Sequence, residues 1–288
     1  MVDLHLHTTF SDGQYTPAQI VALAAVAGVT VLAITDHDTI AGLPEATQAA
    51  AENHITLIPG IEISTNLHQD LHMLGYYINP ESPSLRAFCR QLAQDRRQRE
   101  ARLYAFLAGR GVPLTPEQVN RYVTEGLVGR PHFARAMVAA GYVQTVQEAF
   151  DKHLAVPEFY ALERPKPTPE EAIAMIIQAG GVPVLAHPSL LNFSDTNLDN
   201  LLCRLTTAGL KGLECHYSLH APAQTAFYCH LAQKHGLLIT GGSDFHGEAV
   251  KPAIQIGVGI SHANDCGKSA LFTDASIAQK LRSAAQSR

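Results

Sequence analysis

The sequence carries no excess of positive charge. Its 288 residues sum to a formal net charge of -5. That excludes general, unspecific nucleic-acid binding and leaves room only for a local basic patch. Charged residues make up 16% and hydrophobic residues 46%, an ordinary balance for a water-soluble globular chain. Cysteine is scarce. Cys89, Cys203, Cys215, Cys229 and Cys266 are odd in number, widely spaced and without a C-x-x-C pair. They read as reduced thiols filling core space, not as a disulfide framework, and a cytoplasmic protein is expected. Long apolar runs are absent too. The longest, residues 20–34, is broken by Gly28 and is too short to cross a bilayer. No signal peptide is visible, because the first residues enter a strand at once. There is no internal repeat, low-complexity segment or flexible linker. The length suits one large domain, or one domain with an insertion.

Histidine, by contrast, is abundant, with 15 residues. The first dozen residues set the pattern. Val2, Leu4 and Leu6 alternate with Asp3, His5 and His7, as on a short strand. Strand side chains alternate faces, so His5 and His7 point the same way and can reach one metal ion. Asp12 follows where the strand should end. Thr16, Pro17 and Gln19 form a capping box for a helix to about Ala27, with Gly28 as its stop. Residues 29–34 form a continuous apolar run, as in a strand buried on both faces. That strand delivers Thr35-Asp36-His37-Asp38-Thr39. A helix over 43–52, a strand over 55–58 leading to Glu62, and a strand around His72 follow. This β-α-β-α-β order indicates a mainly parallel sheet or barrel.

The pattern changes at Ser84. Residues 84–109 read as a long helix with Leu85, Phe88, Cys89, Leu92, Leu103, Phe106 and Leu107 on one stripe. Its other faces carry Arg86, Arg90, Arg96, Arg97, Arg99, Arg102 and Arg110. Helical pieces are predicted near 116–124, 131–140 and 145–154, and no strand to about Pro165. Residues 84–165 thus read as a helical insertion covering the substrate cleft, on a body made of 1–83 and 166–288. A second capping box, Thr168 with Glu171, reopens the alternation. Strands are predicted at 182–186, 211–217, 237–240 and near 254–258. Helices are predicted at 168–179, 197–208, 221–235 and the C-terminus.

Strand ends then carry His5, His7, Asp12, Asp36, His37, Asp38, Glu62, His72, His187, Asp244 and His246. In parallel α/β folds the strand ends at one face converge on a cleft. Histidines and carboxylates without cysteine form a ligand set for Zn, Mn or Fe. The set is rich enough for more than one ion, with Glu62 as a bridging carboxylate. Clustered ions of this kind activate water and clamp phosphoryl oxygens. His54, His68, His153, His230, His235 and His262 read as ordinary surface or core residues. His216 and His220, next to a predicted strand, are left undecided between core and cleft.

The chain resembles the PHP (polymerase and histidinol phosphatase) superfamily of metal-dependent phosphoesterases. The carriers are His5-Leu6-His7 with Ser11-Asp12-Gly13, Thr35-Asp36-His37-Asp38-Thr39, Gly60-Ile61-Glu62, His72 with Leu74-Gly75, Ala186-His187-Pro188, and Gly242-Ser243-Asp244-Phe245-His246. They follow the family's order over nearly the whole chain. Gly129-Arg130-Pro131-His132 further resembles the bacterial branch of nucleoside 3′,5′-bisphosphate phosphatases and 5′-to-3′ exoribonucleases. One departure is residues 155–162, where relatives tend to have a more Gly-rich loop.

The resemblance implies a distorted seven-stranded (β/α) barrel holding two or three divalent ions. Manganese is the expected metal, with Zn and Fe as alternatives. One site would use His5, His7, Glu62 and Asp244. A second would share Glu62 with His72 and His187. A third would use Asp12, His37 and His246. His37, Asp38 and Asp244 are the catalytic candidates, Asp38 as substrate contact or acid. Asp3 and Asp36 would hold imidazole tautomers.

Arg99 and Arg102 lie three apart on one helix face. With Arg130 they could hold a 5′-phosphate, a task suited to guanidinium groups. A solvated arginine face competes with that reading, most strongly for Arg86, Arg90, Arg96, Arg97 and Arg110. His132 is a substrate-facing candidate or a helix-start residue.

The expected function is hydrolysis of the 3′-phosphate of nucleoside 3′,5′-bisphosphates such as pAp. Trimming of short 5′-phosphorylated oligonucleotides is the related option. Histidinol-phosphate phosphatase is the rival within enzymes, ahead of an amidohydrolase. A non-catalytic, metal-stabilised RNA-binding module is the rival of another class. The partner is a small nucleotide or short oligonucleotide; no membrane or protein partner is implied.

Overall fold

A computed structural model of the chain describes residues 1–123, 128–162, 164–257, 272 and 274–286. His262 and Cys266 lie outside the described residues. Seven strands form one sheet in chain order: β1 (Val2–Leu6), β2 (Val31–Ile34), β3 (Thr56–Ser64), β4 (His72–Tyr76), β5 (Val182–Leu185), β6 (Gly212–Tyr217) and β7 (Leu238–Gly242). The first and last strands meet. Asp244 N–H donates to the His5 carbonyl at 2.8 Å, and His7 N–H to the Phe245 carbonyl at 3.1 Å. The approach is so close that a Cβ on Gly242 would sit 2.3 Å from the His5 Cβ. The sheet is therefore a nearly closed barrel.

Two irregularities aim the site residues. The register of β1 against β2 shifts between Asp3 and Leu6. Val2 and Leu4 accordingly enter one core, with Val31, Ala33 and Val184, while Leu6 enters another with Leu32 and Ile34. Strict alternation along β1 is broken by this bulge. The second irregularity is in β3, which is longer than its apolar run suggests. Residues 56–59 pair parallel with β2, and residues 60–64 pair antiparallel with β4. The switch falls at Gly60, where a Cβ would lie 2.8 Å from the Ile34 carbonyl oxygen. Because β4 is antiparallel to both neighbours, its first residue, His72, lies at the end where the parallel strands finish.

The described α-helices are α1 (Pro17–Val26), α2 (Leu43–Glu52), α3 (Pro83–Gly109), α4 (Pro116–Asn120), α5 (Arg130–Ala139), α6 (Val146–Ala149), α7 (Pro157–Tyr160), α8 (Pro169–Gln178), α9 (Asp195–Thr207), α10 (Pro222–Lys234) and α11 (Ile277–Gln286). Of these, α1, α2, α9 and α10 connect parallel strands, and α3 to α8 lie between the antiparallel β4 and β5. Both expected capping boxes form, at Thr16–Gln19 and Thr168–Glu171. After α6 the chain widens into a π-helical turn, Phe150–Leu154. The strand expected near 254–258 does not form over residues 254–257. Gly257 stands at φ +69° and interrupts extended backbone, and its N–H is taken by Asp3. Val258 lies outside the described residues. No described helix is long and apolar enough to cross a membrane.

Among the described residues from 84 to 165 there is no strand. This helical layer has its own core around Leu103, Leu107, Phe133, Met137, Leu154 and Phe159. Helix α3 belongs to both bodies: Leu85 and Cys89 pack in the core outside the barrel, Leu103 and Leu107 in the layer. Phe133 is fully buried, so Phe133→Ala is expected to cost about 3–5 kcal/mol, measured as a fall in the urea midpoint of unfolding.

Candidate metal centre and substrate cavity

Glu62 stands at the middle of the cleft. Its Oε2 lies 3.3 Å from His5 Nε2, 3.2 Å from His7 Nε2 and 3.0 Å from His37 Nδ1. Its Oε1 lies 2.8 Å from His72 Nδ1 and 2.9 Å from His187 Nε2. Asp244 Oδ1 faces His5, His7 and His246 at 3.6, 3.3 and 3.3 Å. Asp12 Oδ1 approaches His246 Nε2 at 3.3 Å and His7 Nδ1 at 3.6 Å, and Asp12 Oδ2 approaches His37 Nε2 at 3.9 Å. Every residue expected to bind metal is thus brought into one nest.

The grouping is more intertwined than the three expected sets. Donor atoms converge as His7, Asp12, His37, His246; as His5, His7, Asp244; as His5, Glu62, His187; and as His37, Glu62, His72. His72 and His187 share Glu62 Oε1 but fall in different groups. Backbone strain gathers here as well. Asp38, His187 and Asp244 have φ of +59°, +25° and +57°, conformations that cost about 1–3 kcal/mol each and persist where surroundings enforce them.

The donor set fits divalent cations. His5 Nε2, His7 Nε2, Asp12 Oδ1, His37 Nδ1 and Glu62 Oε2 are buried without a hydrogen-bond partner. Buried polar atoms are normally satisfied, so their convergence points to an ion they would share. The electrostatics agree. Burial opposes ionisation of Glu62, yet the imidazoles of His37, His5 and His72 hold its carboxyl well below the usual range.

Around the nest lie groups the sequence reading did not single out. Glu214, fully buried on β6, receives the His5 Nδ1 contact at 3.0 Å and accepts the His187 N–H at 2.7 Å. It therefore fixes the ring of one ligand candidate and the backbone of another. Asp3 and Asp36 play other parts than expected. Asp3 accepts from the N–H groups of His5, Ser243 and Gly257, not from an imidazole. Asp36 binds Thr8 and Ser11, and reaches His7 only through the Ser11 hydroxyl, 3.4 Å from His7 Nδ1.

Asp38 is not suited to be an acid. Its Oδ2 pairs with Arg96 and, at 2.5 Å, with Arg164, and its Oδ1 accepts Ser64 N–H at 2.9 Å. Burial would raise its pKa, but Arg164 and Arg96 hold it far below the ordinary carboxylate range. It has no proton to give near neutral pH. It anchors two arginines instead.

A cavity of about 630 Å³ opens over the nest. Its floor includes Asp12, His37, Glu62, His72, His187, Asp244 and His246, and its wall Arg96, Arg99, Arg130, Arg164, Lys166 and Lys251. Crowding of cations is visible in Arg99, where burial, then Arg130, Arg96, Arg164 and Arg102, lower its pKa to about 9. Burial and Arg164 lower that of Lys166 to about 8. Phe150 lies on the same wall, with the Arg130 guanidinium 5.7 Å from its ring centre.

Arg102 is exposed and does not line the cavity, although it shares the α3 face with Arg99. His132 is a helix-start residue: its Nδ1 accepts Gly129 N–H at 2.9 Å, and burial lowers its pKa to about 4. It does not line the cavity, so the substrate-facing alternative is set aside. His216 and His220 also stay outside it. His216 packs on Phe272, and His220 Nδ1 contacts the Cys215 carbonyl at 2.9 Å.

Residues 3–155 match the model of the PHP domain. The chain belongs to the PHP domain family. Relatives similar along most of its length include the 3′,5′-nucleoside bisphosphate phosphatase of Chromobacterium violaceum, 32% identical over 85% of this chain and 87% of that one. The 5′-3′ exoribonuclease Rnm of Salmonella typhimurium is 36% identical over 85% of this chain and 84% of that one. A solved structure, named as a metal-dependent phosphoesterase of Bifidobacterium adolescentis, is 33% identical and superposes with a TM-score of 0.81. It covers 98% of this chain and 96% of that one. Divalent metal binding accords with the His/carboxylate clusters and with the name of that neighbour.

Proposed function

We propose that this protein is a metal-dependent hydrolase that removes the 3′-phosphate from nucleoside 3′,5′-bisphosphates. Release of 5′-nucleotides from short 5′-phosphorylated RNA is the same chemistry at the same oxygen. The observation that carries the reading is one cavity lined by two unlike groups, a His/carboxylate nest and the cations Arg96, Arg99, Arg130, Arg164 and Lys166. A substrate with two phosphates satisfies both. A 3′-monophosphate or an amine-bearing phosphate ester satisfies only the first.

His5, His7, Asp12, His37, Glu62, His72, His187, Asp244 and His246 would hold the ions, manganese being the proposed metal. Bound divalent cations would supply an activated water near neutral pH and charge stabilisation for the phosphoryl oxygens. The chain's own residues do the rest. Asp12, Glu62 and Asp244 give the nest its negative charge. Asp38 holds Arg96 and Arg164 against the cleft, where guanidinium forks can grip phosphate oxygens. Phe150 offers an apolar face to a base. The relatives named as bisphosphate phosphatase and exoribonuclease support this substrate class.

Arg130→Ala tests the clamp. Loss of a charged hydrogen bond of about 1.5–3 kcal/mol is expected to raise KM for the bisphosphate roughly 10- to 100-fold. KM for the 3′-monophosphate should change little. An equal change for both would remove the clamp from the reading.

A further inference from the structure

The two oxygens of Asp244 live in different surroundings. Oδ1 faces the imidazoles of His5, His7 and His246. Oδ2 turns away. It accepts the Tyr217 hydroxyl at 2.9 Å and pairs with Lys251 Nζ at 2.5 Å. The chain builds this with some effort. After β7, Gly247 at φ +95° passes against Gln14, where a Cβ would come within 2.3 Å of the Gln14 Cβ. Lys251 N–H then donates to the Gly247 carbonyl at 2.8 Å. That turn folds Lys251 back over Asp244, and Nζ also lies 3.4 Å from the Asp244 carbonyl oxygen.

We infer that Lys251, together with Tyr217, is a positioning residue that ties down Asp244 Oδ2 so that Oδ1 alone is presented to the metal nest. The inference rests on the reading of Asp244 as a metal ligand. The torsion that turns a carboxylate is soft. Untethered, Asp244 could rotate and offer either oxygen or both, and the spacing to His5, His7 and His246 would be lost. A charge-assisted hydrogen bond and a phenolic one to the same oxygen remove that freedom. Groups that orient a ligand in this way change metal affinity or activity by about 10- to 100-fold when removed.

Charge alone makes the opposite forecast. An ammonium beside a cation site repels the cation, so its removal should tighten metal binding. The sign of the change therefore separates positioning from simple electrostatics. Purified wild type, Lys251→Met, Lys251→Arg and Tyr217→Phe would be titrated with Mn(II) by calorimetry, with the Mn(II) electron paramagnetic resonance spectrum recorded on each.

The expected result is Mn(II) binding weakened roughly 10- to 100-fold in Lys251→Met, with a broadened spectrum. Tyr217→Phe shifts the same way by less, and Lys251→Arg restores most of the affinity. Turnover falls in kcat, while KM for the bisphosphate stays near wild type. Unchanged or tighter Mn(II) binding in Lys251→Met overturns the inference, tighter binding leaving Lys251 a purely electrostatic effect on the site. A rise in KM alone also overturns it and makes Lys251 a substrate contact. Failure of the wild type to bind Mn(II) overturns the metal reading itself. Should Lys251→Met not fold, Tyr217→Phe, which loses one hydroxyl, decides on the same criteria.

Discussion

Glu62→Gln is expected to abolish phosphate release, by about 10³-fold or more. The amide keeps the volume of the side chain and removes its charge. Five imidazoles, those of His5, His7, His37, His72 and His187, lie within 3.3 Å of the Glu62 oxygens. Among the described residues no other side chain contacts as many of these imidazoles, so no described neighbour can substitute. An amide nitrogen cannot ligate a cation. One of the two oxygens serving the nest is therefore lost outright. Metal-centred stabilisation is worth several kcal/mol, and each 1.36 kcal/mol is tenfold in rate. The barrel should survive, because the Glu62 side chain contacts site residues, not the apolar cores. The check is phosphate release alongside circular dichroism: a folded variant with near-wild-type turnover would contradict the site.

Asp38→Asn is expected to be the most destabilising single-site polar change near the cleft, by about 3–5 kcal/mol. Asp38 is fully buried, and the side chain of Arg164 is 2% exposed. Removing the anion leaves Arg164 charged, buried and beside Arg96. Both guanidinium groups would then swing away from the cavity or draw in a solution anion. Asparagine tolerates the φ of +59° at this position and can still accept Ser64 N–H. Backbone strain is thus held constant, and the charge is what the substitution tests. Urea unfolding reads the stability, and added phosphate should restore part of it by filling the vacated anion position. A change under about 1 kcal/mol would mean that Arg164 finds another partner.

The ligand candidates were legible because strand-end histidines and carboxylates recur where apolar runs stop. His5 and His7 are separated by one residue, and Asp244 and His246 likewise. The helices around the barrel were legible from caps such as Thr16–Gln19. The supporting residues were not. Glu214 sits in the apolar run of β6, and a single acid in a buried strand was the signal that could have exposed it. Arg164 and Lys166 lie in a connection without periodicity, and only the fold brings them to Asp38. Arg96 shared an arginine-rich face with solvent-facing neighbours, so spacing alone did not distinguish it. His132 drew notice as a site residue because it follows Arg130, yet the same Gly129–His132 spacing is that of a helix start. The change of partner along β3 at Gly60 left no mark in hydrophobic periodicity. It moves Glu62 from a strand end into a strand.

The most direct test is phosphate release by the manganese-loaded protein from pAp, 3′-AMP, 5′-AMP, histidinol phosphate and a short 5′-phosphorylated RNA. Strong release from pAp, with little from 3′-AMP and none from histidinol phosphate, is the expected result. Silence on pAp with turnover of histidinol phosphate would contradict the bisphosphate assignment, and silence on every substrate with metal bound would contradict catalysis itself.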